Sequence, residues 1–296
     1  MSAVATAGRD PREATRRQAT QSALGTASLS LLVFLVFWGL WEAYRWVGIR
    51  EHITWPFEVS NLTMPHIHSM IRVLFEPVQA GGPLLIVSLW HSALFTAKEA
   101  LVGFAMGAAL GFALAVILAH SRLLQRGLLP YIVASQTIPI LAIAPMVVVW
   151  LGSRGLPPWF SVAVISAYLT FFPVTINTLR GLVSADPRAV ELMRSYAAGS
   201  WAILWRLRVP ASLPFLFTAL KISAPAAVVG AIIGELPSSI QDGLAGAILN
   251  YNQYYVLSPE SLWATNIVAA MVGIVFFLGV AIAERLIVRR APEHVA

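Results

Sequence analysis

Residues 191–214 read ELMRSYAAGSWAILWRLRVPASLP. This basic, glycine-broken, proline-ended segment sits between two runs greasy enough for a membrane interior. Its meaning depends on the company it keeps. The chain of 296 residues is 58% hydrophobic and 11% charged, against about 25% charged residues in an ordinary soluble domain. Its mean hydropathy is +0.74. These values describe an all-α integral membrane protein. The formal charge of +6 does not argue for nucleic acid, because the arginines lie between apolar spans instead of clustering with aromatics on a polar face. The absence of cysteine excludes disulfides and thiolate metal sites.

A spanning helix needs roughly 20 apolar residues. Six stretches qualify: 27–48, 99–119, 129–152, 158–179, 213–236 and 262–288. The first comes after Arg9, Arg12, Arg16 and Arg17, but it is too long for a signal-peptide core and lacks a small-residue cleavage pattern. It is read as a retained anchor. With the N-terminus inside, the inner segments carry those four arginines and then Arg122 and Arg126. The long inner loop adds Arg180, Arg188, Arg194, Arg206 and Arg208, and the C-terminal end adds Arg285, Arg289 and Arg290. The outer segments hold Arg45, Arg50, Arg72 and Arg154, with Lys98 at an outer helix edge. This asymmetry predicts both termini in the cytoplasm. Gly103, Gly107 and Gly111 repeat every four residues, a stripe that lets another helix come close. Pro139 and Pro145 are expected to kink the third span.

Within the long inner loop, Asp186-Pro187 is a helix N-cap and first-position pair. Apolar Val190, Met193 and Ala197 then recur at helical spacing up to about Ala198. Gly199-Ser200 breaks the run, and Ser200 is expected to cap a second helix on which Trp201, Leu204, Trp205 and Arg208 share a face. Pro210 and Pro214 mark the approach to the fifth span. Each helix is about ten residues, or about 15 Å, too short to cross a bilayer. Two readings of this amphipathic pair remain open on the residues alone. One is an interfacial helix pair lying on lipid headgroups; the other is a docking element for a cytoplasmic partner.

The spacing resembles the "EAA" loop of ATP-binding-cassette importer permeases. That motif runs Glu-Ala-Ala, a glycine three residues on, nine residues, then an aliphatic, any residue and Leu-Pro. Glu191 matches the glutamate, Leu207 the aliphatic and Val209-Pro210 the Leu-Pro. Leu192 and Met193 stand for the two alanines, and Ala197 stands where the glycine is expected, so Gly199 is expected to take over the turn. SQTIPILAIAPMVVVWLG (135–152) looks like the family's third-span pattern. GELPSSIQDGLAGAILN (234–250) is similar to the segment after its fifth span. The resemblance covers roughly residues 85–290 and is closest to the branch that imports sulfonates, taurine, nitrate, or pyrimidine and vitamin precursors.

The resemblance implies a six-helix, type I importer permease fold of the MetI-like kind in a bacterial inner membrane. It divides the chain into a cytoplasmic tail (1–26), a first span with an outer segment (27–84), a permease domain (85–290) with its coupling loop at 184–210, and a short tail (291–296). It also implies a homodimer or heterodimer of permeases, separate ATPase subunits, and a periplasmic or lipid-anchored binding protein that delivers the substrate. The coupling residues implied are Glu191, Ala197, Gly199, Trp201, Trp205, Arg206, Arg208 and Pro210.

Enzyme signatures are missing. No Walker A lysine exists, since Lys98 precedes Glu99 and Lys221 precedes Ile222. There is no His-Glu-x-x-His, no Gly-x-Ser-x-Gly and no evident carboxylate pair in a span. No catalytic residue, cofactor or metal is therefore expected. His66 and His68, a pair without a third ligand in view, are read as part of a solvated loop. Lys221 is expected to snorkel to the headgroups, too far along its helix to meet Glu235. Glu235 is either a wetted edge carboxylate or an anchor of the outer gate. Gln136, Thr137, Asn177 and Glu235 are candidates for a solute path, with helix-to-helix hydrogen bonding as the plainer role for the first three. The alternatives to an importer are a secondary transporter, disfavoured by the lack of an inverted repeat, and a membrane-embedded protein whose loop only lies on lipid.

Overall fold

A computed structural model describes residues 11–52, 55, 58–79 and 81–288, without the side chains of residues 11–24, 26 and 27. Residues 1–10 and 289–296, with Arg9, Arg289 and Arg290, and the side chains of Arg12, Arg16 and Arg17 lie outside this description. The elements are α1 (Pro11–Arg50), α2 (Ile67–Val73), α3 (Leu85–His120), α4 (Arg122–Ser135), α5 (Ile140–Gly152), α6 (Pro158–Val183), α7 (Pro187–Ser195), α8 (Ser200–Ile203), a π-helical turn (Leu204–Arg208), α9 (Val209–Ser238), α10 (Leu244–Gln253) and α11 (Pro259–Val288). Among the described residues, five helices are long and apolar enough to cross a membrane, or six if the bent α4–α5 pair counts as one span.

The chain forms two compact units, residues 1–71 and 72–296. In the first, the end of α1 organises the segment leading into α2. The Arg45 side chain, 7% exposed, donates to the Met64 carbonyl at 2.8 Å and meets Asn61 and the His66 ring. Glu42 lies 2.7 Å from His66 Nδ1 and accepts from the Ile67 amide at 3.3 Å. His66 is thus pinned between a carboxylate and a guanidinium, not free in a solvated loop. The local sequence hid this because Glu42 and Arg45 lie a full segment upstream.

The second unit is built on α3, α6 and α9. The glycine stripe has the expected effect. A Cβ at Gly103 or Gly107 would lie 2.5 Å from the carbonyl oxygen of Ala163 or Ala167 on α6, and one at Gly111 would lie 2.7 Å from that of Phe171. On the other flank of α6, a Cβ at Gly230 of α9 would come within 2.8 Å of Ser166 Cα. Ser166 Oγ donates to the Ala227 carbonyl at 2.8 Å. Backbone therefore meets backbone on both sides of α6, which is how membrane helices gain dispersion energy without a hydrophobic drive.

The third span is not a kinked helix. It breaks into α4 and α5, which meet at 97°. Pro139 supplies no N–H and holds the chain extended at φ −63° and ψ 117°, and the residue before a proline avoids the helical region. The hydroxyl of Tyr168 on α6 donates to the Ser135 carbonyl and holds the broken end. Lys221 also departs from expectation. Its Nζ lies 2.7 Å from Glu284 on α11, so it is paired instead of reaching alone for headgroups.

Candidate functional site

The loop after α6 begins as its residues dictate. The Asp186 carboxylate accepts from the Arg188 amide at 2.9 Å, with Pro187 in the first helical turn. The helix then ends sooner than its apolar spacing suggests. Ala198 N bonds back to the Met193 carbonyl at 3.0 Å and Tyr196 N to that of Leu192 at 3.3 Å. This capping turn needs one left-handed residue, and Ala197 supplies it at φ 56°. Gly199 does not take the turn, since its φ is −68°. Ser200 does not cap the next helix either; Gly199 occupies that position and no side chain caps it. The position where the motif has glycine thus holds a left-handed alanine in this chain.

The second arm is not a separate helix. Ser200–Ser238 is one helical run of 39 residues, α8 passing through the π turn into α9. Leu204, 1% exposed, anchors it in a cluster with Ala115, Leu118, Leu179 and Leu182 at the ends of α3 and α6. Trp201 and Trp205 meet edge to face at 5.6 Å between centroids, and Trp205 also reaches Phe112 of α3 at 6.5 Å. Trp201 remains 65% exposed. Glu191, Gly199, Arg206 and Pro210 are exposed or nearly so, and Arg208 is partly covered. The described structure therefore presents a short capped helix and a tryptophan pair on a buried base.

The opposite end of the bundle is closed. Glu235, in the last turn of α9, is 1% exposed, so the wetted-edge alternative falls. Its Oε1 accepts from Thr96 Oγ1 of α3 at 2.6 Å, and its Oε2 accepts from the Ala245 amide at 2.8 Å. Thr96 Oγ1 in turn accepts from the Leu244 amide at 2.8 Å. Together they satisfy two amides at the start of α10, where no side chain of α10 itself does so. A Cβ at Gly243 would lie 2.3 Å from the Glu235 carboxyl, so any larger residue there would displace that carboxyl from its partners. Glu99 of α3, 3% exposed, faces the same carboxyl, and neither of its oxygens receives an N–H or hydroxyl bond among the described residues. No single span carries a carboxylate pair. The structure assembles one from two helices.

The candidate path residues are not brought together by the described hydrogen bonds. Gln136 and Thr137 are exposed at the α4–α5 break. Thr137 Oγ1 bonds to the Ala134 carbonyl at 2.8 Å and Asn177 Nδ2 to that of Pro173 at 2.9 Å. Each serves its own helical turn, so the helix-to-helix role expected of them is not seen. On α9, Phe215, Ile222, Val229 and Leu236 repeat every seven residues and are 40%, 58%, 51% and 37% exposed. They form an uncovered apolar row along one face of α9.

Known proteins share this organisation. The sequence profile of the "Binding-protein-dependent transport system inner membrane component" family matches residues 107–291. The chain is 37% identical over 173 residues to the formylaminopyrimidine transport permease protein of Halalkalibacterium halodurans, covering 55% of this chain and 68% of that one. It is 31% identical to the riboflavin transport system permease protein of Chloroflexus aurantiacus, covering 68% and 72%. It is 25% identical to a putative aliphatic sulfonates transport permease protein of Bacillus subtilis, covering 82% and 80%. A crystal structure of an amino acid ABC transporter shares the fold, with a TM-score of 0.53 at 16% identity over 69% of this chain and 94% of that one. An all-helical bundle with a capped loop at one end, matched over most of its length by transport permeases, leaves one assignment. This chain belongs to the inner-membrane component family of binding-protein-dependent, ATP-binding-cassette transport systems.

Proposed function

We propose that this permease subunit forms half of a translocation path for a small heterocyclic solute, delivered by a binding protein and driven by a separate ATPase docked on residues 184–210. The observation that carries the reading is the unbroken helical run from Ser200 to Ser238. It connects the exposed tryptophan pair to the carboxyl latch at the far end of the bundle. A force applied at the loop therefore has one continuous helix along which to reach the other side. The heptad-spaced stripe on α9 suits a second permease, identical or homologous, across the path. The higher identity to formylaminopyrimidine and riboflavin permeases than to the sulfonate permease favours a planar nitrogen heterocycle. ATP binding and hydrolysis belong to the partner subunit, and both termini lie on its side of the membrane.

The test is reconstitution with the cognate ATPase and binding protein. Hydrolysis should be stimulated by a pyrimidine-type ligand, and the permease alone should bind no ATP. Stimulation by a sulfonate alone would overturn the substrate class, and stoichiometric ATP binding by the isolated chain would overturn the division of labour. Orientation is checked separately. Cysteines placed at Ser60 and Ser200 of this cysteine-free chain should label from opposite sides, and labelling of both from the periplasm would sink the topology.

A further inference from the structure

At the loop end of the bundle, four segments converge on a recess of about 250 Å³. Its basic side chains are His120 at the end of α3, Arg122 at the start of α4, Arg194 in the last turn of α7 and Arg208 of the π turn, and Ser200 adds a hydroxyl. A second recess of about 320 Å³ continues along α4, bounded by Arg122, Gln125, Arg126 and Leu129. The ion pairs among the described residues join His66 to Glu42, Arg72 to Glu76 and Lys221 to Glu284. None of these arginines has a carboxylate partner there. Guanidiniums drawn together from separate segments repel one another unless an anion lies between them. Their planar forks suit the oxygens of a phosphate.

We propose that this recess binds the phosphate of an anionic phospholipid headgroup, with Arg122, Arg194 and Arg208 as its ligands. A lipid source is favoured by the surroundings. The wall is formed by the last residues of α3, a spanning helix, so the recess opens where the hydrocarbon gives way to water. Beside its arginines, α4 leaves Leu123 81% and Tyr131 76% exposed, with Leu124 and Leu128 also uncovered. Basic side chains next to bare leucines on one short helix are the pattern of an element lying in the headgroup layer. A bound headgroup would staple α7 and the π turn to the ends of α3 and α4, ordering the loop before any protein arrives. The inference does not depend on ATPase docking.

The experiment uses the full chain purified in detergent, with bound lipid counted by native mass spectrometry during titration with phosphatidylglycerol or phosphatidylcholine. The wild type should retain phosphatidylglycerol selectively. R122Q/R194Q/R208Q should weaken that retention by about a hundredfold, at about fivefold per arginine, and leave phosphatidylcholine unchanged. R122K/R194K/R208K keeps the charge and guards against a folding failure; it should retain more phosphatidylglycerol than the glutamine triple. R188Q, outside the recess, should match the wild type. Equal retention by wild type and the glutamine triple, or equal retention of both lipids by wild type, overturns the proposal. So does inorganic phosphate displacing the lipid at micromolar concentration, which would mark a soluble-anion site. Intact lipid retention with loss of ATPase association in the glutamine triple would assign the arginines to a protein partner and would also overturn it.

Discussion

The two ends of the bundle solve opposite problems. At the latch end, Glu235, Thr96 and Gly243 close α10 onto α3 and α9 with every contact internal, and Glu235 is 1% exposed. At the loop end, α7 and the tryptophan pair stand on a buried Leu204 and offer their polar and aromatic groups outward. Substitutions at the first end should cost stability, and substitutions at the second should cost partnership while the fold survives. The comparison therefore separates architecture from function by the quantity that changes.

The largest effect is expected at the latch. Glu235→Ala removes an acceptor of two bonds and leaves the Thr96 hydroxyl and the Ala245 amide buried without it. This should cost about 3 kcal/mol of stability, read as a lowered thermal midpoint of the detergent-solubilised chain. An unchanged midpoint would mean that the latch is decorative. Next comes Glu191→Lys at the loop, where a reversed charge at a docked interface should weaken ATPase association by about 2–3 kcal/mol. Its yield and thermal midpoint should match the wild type, while ATPase co-purification and uptake are lost. Unchanged association would reduce the loop to a lipid-surface element. Thr96→Val, which keeps the shape and deletes the hydroxyl, should cost about 1–2 kcal/mol and leave ATPase association intact. The smallest change runs the other way. Ala197→Gly relieves a left-handed alanine and should stabilise the α7 turn by up to about 1 kcal/mol, seen as slower amide exchange around residues 193–198. Faster exchange there would mean that the turn is held by something other than its dihedral.

These ends also differ in how far they could be read from the residues. Much of what depends on near neighbours was legible. The Asp186–Pro187 start, the glycine stripe and the apolar spans all arise from local geometry, and the structure carries them. The latch was not legible, because Thr96 and Glu235 are 139 positions apart and nothing in the periodicity of α3 announces Glu99 as their neighbour. The Lys221–Glu284 pair escaped for the same reason. At the loop, the misreading was of another kind. A glycine two positions late looked like the natural site of the turn, yet the hydrogen-bond pattern from Met193 and Leu192 demands the left-handed residue at Ala197 whatever its side chain. The break at Pro139 was expected as a bend because a proline alone predicts a kink. The full separation of α4 from α5 is accompanied by the Tyr168 tether from a different helix, which the local sequence does not announce.

The π turn at Leu204–Arg208 has a consequence for azimuth. A π turn holds one more residue than the α-helical turn it replaces, and each residue of an α-helix advances the side chains by about 100°. The wider turn absorbs its extra residue, so Trp201 keeps its direction relative to the face that α9 presents further along the same rod. Deleting one residue within this turn would restore a plain helix with its length and azimuth almost unchanged. Forcing all five residues into α-helical geometry would instead swing Trp201 by about 100° relative to α9. The phase of the rod is set in these five residues, as distinct from its stiffness, so two permeases with identical loops and identical spans can still present their partners with differently aimed surfaces.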